Sequence, residues 1–342
     1  MLLFFCVFFI CQVKKRNDEL AAEPGMTGSG QAVSSFETGG SFDSYSDIYE
    51  GEDEVEIVFY NGQAYRAKDD LETVLFLGID TFGESETVSN QNNNGLQADT
   101  IMLFVIDNDE QEYSILQLDR GTMTRITVLG SLGDFVRYDT AQLCFAHTYG
   151  DGLLQSCRLT ADAVQYLLLD TRIDHYLSLS MDSIAILNDQ VGGVTVTIPE
   201  DMTEVDPAME EGATITLQGS QAETFVRSRM ALEDDSNLFR MERQRIYMQA
   251  WQELASRRVN EDGTFALQLI TVLSDYMVSD MTAGELSDLA DILSEYTPTG
   301  IYTLEGETVS GERWVEFYPD EESVRSTIME LFYEEYDLSG QA

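Results

Sequence analysis

Apolar residues are distributed along this chain in runs and alternations that predict both strands and helices. Near-continuous apolar runs at residues 73–80, 100–107 and 112–119 are typical of strands that are buried on both faces of a sheet. Apolar and polar residues alternate on either side of Asn61-Gly62, and this dipeptide favours the tight turn of a β-hairpin. Four more segments have a strand-like composition: HYLSLS from His175, VTVTI at 194–198, YTLEG and WVEFY.

Between these runs, apolar residues recur every three or four positions. Residues 238–258 place Ile246, Ala250 and Leu254 on one face, with two aromatic residues beside it, which is typical of an amphipathic helix. The same spacing predicts further helices at 139–149, 159–169, 181–189, 219–226, 264–277, 283–295 and 320–335. Because strands alternate with helices, we predict an α/β sandwich.

The N-terminal part of the chain departs from this pattern. It begins with the apolar run MLLFFCVFFICQV, followed by three basic residues. A membrane-spanning helix needs about 20 apolar residues, so we interpret residues 1–16 as a truncated transmembrane anchor. Residues 17–54 are rich in Gly, Ser, Asp and Glu and contain no Lys or Arg, which predicts a disordered acidic linker. We expect a folded domain at 55–260, including the hairpin, and an α/β extension packed on it at 261–342.

The chain is strongly acidic. Its formal net charge is −43, with 19 Lys and Arg against 62 Asp and Glu. Binding to DNA or RNA depends on cations that neutralise backbone phosphates, and a protein of this charge is repelled by them. We therefore expect no nucleic-acid partner.

Five of the few basic residues fall within one short segment: Arg227, Arg229, Arg240, Arg243 and Arg245. Arg240 and Gln244 are four residues apart, so they project from one face of the predicted helix. Cations at the start of a helix favour an anion between them, because the helix macrodipole also presents positive charge there. This predicts a phosphate or pyrophosphate site. The alternative is a set of surface ion pairs with the abundant carboxylates.

Polar residues also stand at the ends of three predicted strands. Asp80 ends the run at 73–80, Asp99 precedes the run at 100–107, and Arg120 follows the third run. Sites in α/β proteins gather at strand ends. Asp80 and Asp99 could share a hard divalent cation through their oxygens, and that cation could also bind phosphate. Alternatively, Asp80 is a turn residue and Asp99 an N-terminal cap.

Cysteine and histidine give little support for other chemistry. Cys144 and Cys157 lack the spacing of a metal site, and two buried free thiols are favoured over a disulfide. His147 is more typical of a structural histidine than of a catalytic base. The chain therefore has no convincing zinc site or Ser-His-Asp arrangement.

Five segments, in this order, resemble the LytR-CpsA-Psr family: LQADTIMLFVID, SILQLDRGTMTRI, AQLCFAHTYGDG, IDHYLSLSMDSIAILNDQVGGVTVTIP and FVRSRMALEDDSNLFRMERQR. The resemblance covers residues 73 to about 250. It implies a three-layer α-β-α sandwich with a mixed central sheet. It also implies a membrane-anchored, extracytoplasmic phosphotransferase of the cell wall, as in Gram-positive bacteria. Such proteins move glycopolymers, such as teichoic acid or capsule, from a polyprenyl-pyrophosphate carrier to peptidoglycan with the help of Mg²⁺.

The resemblance also implies roles for individual residues. Asp80 and Asp99 would be the Mg²⁺ ligands, and together with Arg120 they would be catalytic. The lipid pyrophosphate would be bound by Arg120, Arg227, Arg229, Arg240 and Gln244. An apolar groove for the polyprenyl chain would lie among the sheet and the helices near 139–169.

Three positions depart from the family pattern. Gln97 and Gly121 stand where the family usually has Arg and Asp, and Asn237 stands where it usually has Asp. Asp119, two positions before Gly121, could compensate for the missing carboxylate. These departures leave open the alternative of a non-catalytic module that binds polyprenyl phosphate. A regulator that contacts nucleic acid is opposed by the charge.

Overall fold

A computed structural model describes residues 57–79, 95–228, 236–262, 264–310 and 315–338. The predicted anchor at 1–16, the predicted linker at 17–54, Asp80 and Arg229 lie outside these residues. No helix within the described ranges is long and apolar enough to span a membrane.

Six strands form a mixed central sheet. They are β3 (Leu71–Ile79), β4 (Ala98–Asp107), β5 (Glu112–Leu118), β8 (His175–Ser180), β11 (Met277–Ser279) and β12 (Thr297–Thr303), in the order β11-β8-β3-β4-β5-β12. Strand β3 is parallel to β8 and β12 is parallel to β5, whereas the other neighbours are antiparallel. The sheet is therefore mixed, as the family resemblance implies.

The remaining strands form smaller sheets around this one. They are β1 (Ile57–Tyr60), β2 (Gln63–Ala67) and β15 (Tyr333–Glu335) in one sheet, and the pairs β6 (Met123–Leu129) with β7 (Phe135–Gln142), β9 (Val194–Thr197) with β10 (Thr214–Leu217), and β13 (Gly306–Ser310) with β14 (Val315–Pro319). The predicted hairpin at Asn61-Gly62 is confirmed: both residues have positive φ, at 50° and 81°, between β1 and β2.

Helices cover both faces of the central sheet. They are α1 (Leu154–Leu167), α2 (Ser183–Gln190), α3 (Ser220–Arg227), α4 (Ser236–Glu261), α5 (Phe265–Leu273), α6 (Ala283–Glu295) and α7 (Glu321–Phe332). Two short 3₁₀ helices, at Leu143–Thr148 and Ser274–Tyr276, complete the helical segments of the described ranges.

Alternate residues of each central strand enter two separate cores. On β3, Val74 and Phe76 pack in the core that contains α2 to α6, whereas Leu75 and Leu77 pack in the core that contains α1 and α7. A strand buried on both faces needs apolar residues at nearly every position, which explains the continuous runs in the sequence. The three-layer α-β-α sandwich follows from this arrangement.

One predicted helix is wrong, and several strands were not predicted, among them β6, β7, β10 and β11. Residues 139–149 are not an α-helix: they divide between the end of β7 and the 3₁₀ helix at Leu143–Thr148. Residues 135–142 pair with β6 instead, so a hairpin overrides the helix-like spacing. The predicted helix at 264–277 ends at Leu273, and β11 follows as an edge strand of the central sheet.

Candidate functional site

The site residues that the structure describes gather at one end of the central sheet. Strands β3, β5 and β8 end there, and β4 begins there, because β4 is antiparallel to β3 and β5. Ile79 at the end of β3 pairs with Ala98, and its carbonyl accepts a 3.0 Å hydrogen bond from the amide of Met181, just past β8. We refer to this region as the site end of the sheet.

Asp99 is held in place by an irregularity between β3 and β4. Gly78 pairs with Thr100 and Ile79 pairs with Ala98, so Asp99 is the extra residue of a β-bulge. Bulges turn side chains away from the regular pleat and are common beside active sites. The alternative that Asp99 is an N-terminal cap does not hold, because it lies in a strand.

Arg120 forms an ion pair with Asp99 across the site end. Arg120 Nη2 lies 3.1 Å from Asp99 Oδ1, and the two side chains are 38% and 27% exposed. The same nitrogen donates to Gln97 Oε1 and lies 3.6 Å from Cys144 Sγ. Burial opposes the charge of the guanidinium, but the neighbouring Cys144 and Asp99 outweigh burial and raise the pKa of Arg120. The group therefore stays positively charged and remains partly accessible.

The chemistry of Asp99 suits a magnesium ion. Mg²⁺ prefers carboxylate oxygens, and this carboxylate is accessible at a strand end. Its predicted partner, Asp80, follows directly after β3 in sequence but lies outside the described residues. Among the described residues, no group of three or more His, Cys, Asp or Glu is arranged to hold a metal. The shared Mg²⁺ site stays a prediction.

Gly121 is tightly enclosed by the C-terminal part of the chain. A Cβ at this position would lie 3.0 Å from the carbonyl oxygen of Val315 on β14 and 3.1 Å from Asp119 Oδ1. The Phe317 amide also donates to the Gly121 carbonyl at 3.0 Å. A larger residue at 121 would need these neighbours to move, so packing accounts for the glycine.

The Asp119 side chain folds back over Gly121. Asp119 Oδ1 accepts a 2.6 Å hydrogen bond from the Gly121 amide. The carboxylate of Asp119 therefore reaches the position of Gly121, two residues later in the chain. Asp119 lies past the end of β5, where the strand pleat no longer fixes the direction of its side chain.

Arg227 is the one residue of the predicted pyrophosphate group in the arginine segment whose side chain is described. It ends α3, and its Nη1 lies 2.6 Å from Glu223 Oε1 and 3.9 Å from Asp182 Oδ1. Asp182 follows the end of β8, so Arg227 lies at the site end of the sheet. These contacts are the ion pairs that the alternative interpretation expects. A role in binding pyrophosphate stays a prediction.

The other arginines of this segment divide into separate groups. Arg240 and Gln244 lie on α4, and their side chains are outside the described part of the structure. Arg245 is exposed and lies 3.5 Å from Gln249 on the same helix. Arg243 is completely buried and contacts Glu200 and the carbonyls of Phe225 and Ser228. The cluster seen in the sequence is therefore not a single surface in the structure.

His147 and the two cysteines have structural environments. His147 is buried, its Nδ1 lies 2.9 Å from the Leu96 carbonyl, and its Nε2 lies 3.8 Å from Cys157 Sγ. Burial lowers the pKa of His147 to about 4 and raises the pKa of Cys157 to about 12. Cys144 and Cys157 are free and buried, as predicted. A histidine with so low a pKa is a weak base, and a thiol with so high a pKa is a poor nucleophile at physiological pH.

Comparison with known proteins identifies relatives of this chain. A model of the LytR_cpsA_psr family matches residues 36–330. Biofilm regulatory protein A of Streptococcus mutans is 31% identical over 182 residues, which cover 51% of this chain and 41% of that protein. The polyisoprenyl-teichoic acid–peptidoglycan teichoic acid transferase TagU of Halalkalibacterium halodurans is 26% identical over 178 residues. These residues cover 52% of this chain and 51% of that protein. The chain thus spans about half the length of the curated relatives it matches.

Solved structures share the fold. The protein gbs0355 from Streptococcus agalactiae matches with a TM-score of 0.57 at 19% identity, over 76% of this chain and 86% of that chain. TagV of B. subtilis matches with a TM-score of 0.52 at 20% identity, over 77% of this chain and 97% of that chain. TagT bound to LIIa-WTA also matches with a TM-score of 0.52 at 20% identity, over 77% of this chain and 90% of that chain. The predicted fold class is confirmed by these likenesses and by the three layers described above.

Proposed function

Because this chain belongs to the LytR_cpsA_psr family, we propose that it is a phosphotransferase that moves a glycopolymer from a polyprenyl-pyrophosphate carrier to peptidoglycan. The observation that carries the proposal is the pairing of Arg120 with Asp99 at 3.1 Å, within the segment that the family model matches. A cation and a carboxylate side by side, both partly accessible, suit a site for a phosphate group and its counter-ion. The name of the relative TagU gives the same class of reaction.

In the proposed reaction, an acceptor hydroxyl of peptidoglycan attacks the phosphorus that carries the glycopolymer. A new oxygen–phosphorus bond forms, the bond to the bridging oxygen of the pyrophosphate breaks, and polyprenyl phosphate leaves while the hydroxyl proton passes to solvent. Arg120 would contact the phosphate oxygens, where charge increases on the leaving group. Arg227, Arg229, Arg240 and Gln244 would hold the rest of the pyrophosphate.

Asp99, with Asp80, would hold Mg²⁺ in this site. The ion would neutralise part of the negative charge of the pyrophosphate oxygens. Asp99 is paired with Arg120 in the structure. Arg120 and the proposed Mg²⁺ would together place two cationic groups around this one carboxylate, which is compatible with a ligand that carries several negative charges. The charge of the site is therefore balanced by the proposed substrate.

The proposed location follows from the substrate. Polyprenyl-linked glycopolymers and peptidoglycan meet at the outer side of the cell membrane, so the catalytic domain would be extracytoplasmic, with residues 1–16 as a single-pass anchor. The polyprenyl chain would lie in an apolar groove formed with the segment 139–169, which contains the end of β7, the 3₁₀ helix and all of α1.

A non-catalytic module that binds polyprenyl phosphate is the second candidate. It is favoured by the contact between Gln97 and Arg120, because this amide engages the same Nη2 that pairs with Asp99. Gly121, which provides no carboxylate, points in the same direction. The two candidates differ in turnover and not in binding.

The test is release of polyprenyl phosphate by the purified chain from a lipid-linked glycopolymer, with peptidoglycan and Mg²⁺ present. Arg120→Gln should lower turnover by about 100-fold or more, because a charged group at the reacting phosphate is removed. The control is Arg137→Gln, which removes an exposed arginine paired with Asp139 on β7 and should leave turnover within about twofold. Binding of the lipid without turnover by the wild-type chain would favour the module. An Arg120→Gln variant with full turnover would contradict the assigned role.

A further inference from the structure

Arg243 is a charged residue at the centre of a core. It is 0% exposed on α4, on the same helix face as the fully buried Tyr247 and Trp251. A buried cation is costly unless it is paired and its donors are satisfied. Its partners therefore indicate what this charge does.

The guanidinium of Arg243 holds the C-terminal end of α3. Its Nε donates to the Phe225 carbonyl at 2.7 Å, and its Nη2 donates to the Ser228 carbonyl. The last carbonyls of a helix have no partners within the helix and carry partial negative charge, so a cation placed there satisfies them. The helix end is thereby attached to α4 through one side chain.

Glu200 fixes the orientation of this guanidinium. Arg243 Nη1 forms an ion pair with Glu200 Oε1, and the Glu200 side chain is only 10% exposed. Three separate nitrogens of one planar group thus contact Glu200, Phe225 and Ser228. A lysine carries one compact ammonium group and cannot reproduce this fork.

We infer that Arg243 is a positioning residue that acts through Arg227. Arg227 lies between the two carbonyls that Arg243 binds, so its backbone is fixed on both sides. Its side chain is directed to the site end of the sheet, beside Glu223 and Asp182. Arg243 itself is buried and does not touch the substrate. The inference rests on the proposed function, in which Arg227 binds the lipid pyrophosphate.

The test compares two Arg243 variants with a control on the same helix. Arg243→Lys keeps the charge and Arg243→Met keeps most of the volume. The control is Trp251→Phe: Trp251 is also fully buried, and its Nε1 donates to the Leu187 carbonyl at 2.8 Å, so it attaches α4 to α2 and not to α3. Thermal unfolding of each variant gives the temperature up to which it remains fully folded, and all measurements are made below that temperature.

Affinity for inorganic pyrophosphate with Mg²⁺, measured by calorimetry, is the first readout. Both Arg243 variants should bind at least about tenfold more weakly, because a shift of about 1 Å in a binding residue has effects of this size or larger. Trp251→Phe should bind within about twofold of the wild-type chain, even where its stability falls by a similar amount. Unchanged affinity in both Arg243 variants, or an equal loss in the control, would overturn the inference.

Amide hydrogen exchange of the unliganded proteins separates this inference from the proposed function. The Arg243 variants should show faster exchange that is localised to the segment from Phe225 to Ser228, and the control should not. A wild-type chain that binds no pyrophosphate would argue against the proposed function. Localised faster exchange would then still support the positioning role, whereas unchanged exchange would overturn it.

Discussion

Burial of His147 makes the stability of this protein dependent on pH. The side chain is fully buried, and burial lowers its pKa to about 4, compared with about 6.5 in an unfolded chain. Between these two values the unfolded chain binds a proton that the native chain does not bind. The free energy of unfolding therefore falls as the pH decreases through this range, and the stability is fully present above pH 6.5.

The magnitude follows from the difference between the two pKa values. Each pKa unit corresponds to 1.36 kcal/mol, so a difference of about 2.5 units is worth about 3 kcal/mol when the pH has fallen below 4. Between pH 7 and pH 5 the loss due to His147 is about 2 kcal/mol. Other groups titrate in this range as well, so the contribution of His147 has to be isolated with a variant.

His147→Asn is the variant of choice. The carbonyl of Leu96 can only accept, so His147 Nδ1 donates to it, and an asparagine amide can donate from nearly the same position. Urea unfolding at pH 7 and pH 5 gives the change in stability for each protein. This change should be smaller in His147→Asn by about 2 kcal/mol.

His175→Asn is the control, because His175 is a third exposed on β8 and this variant retains His147. It should keep the pH dependence that is due to His147. An identical pH dependence in wild-type and His147→Asn proteins would refute the reasoning, since a buried neutral histidine cannot be removed without removing its proton linkage.

Three further predictions concern the site and its location. Asp99→Asn should weaken Mg²⁺ binding by about tenfold or more in calorimetry, whereas Asp107→Asn at the other end of β4 should not; equal affinities would exclude Asp99 as a ligand. Gly121→Ala should cost about 1–3 kcal/mol of stability in urea unfolding, because its Cβ would meet the Val315 carbonyl at 3.0 Å. Gly300→Ala is the matched control, since its Cβ would have its nearest neighbour at 3.8 Å, and equal costs would show that the Gly121 site is not tight. A reporter that works only outside the cytoplasm, fused to the C-terminus in the native host, should be active; activity confined to the cytoplasm would contradict the transferase proposal.

The sequence predicts the central strands well because their burial on both faces leaves a direct trace in composition. Residues 73–80 and 100–107 correspond closely to β3 and β4. Strand β7 leaves no such trace: it pairs only with β6 among the described strands and is exposed along most of its length. Its formation depends on partner residues in β6, so local spacing could not reveal it.

The arginine segment shows a similar limit for the site. A high density of arginines cannot distinguish a ligand-binding residue from one that caps a helix inside the core. The sequence did contain a signal: Arg243, Tyr247 and Trp251 follow one another at intervals of four residues and so share one face of the helix. In the structure all three are fully buried. The predicted apolar face through Ile246 and Ala250 is only partly buried, so the true core face is shifted by about one residue around the helix. The site bulge at Asp99 depends on pairing between two strands and could not be derived from either strand alone.

The contact between β14 and the loop at Gly121 has a consequence for the order in which the protein folds. The Phe317 amide donates to the Gly121 carbonyl, and β12 pairs with β5. The backbone hydrogen bonds of the residues near 120 therefore depend on residues almost two hundred positions later in the chain. A chain that emerges from the ribosome N-terminus first cannot form these contacts until β12 and β14 have been synthesised. The outer side of β5 and the Arg120 loop are left uncovered until then. Because these paired residues are so far apart in sequence, the site end of the sheet cannot be completed before the C-terminal part of the chain is present.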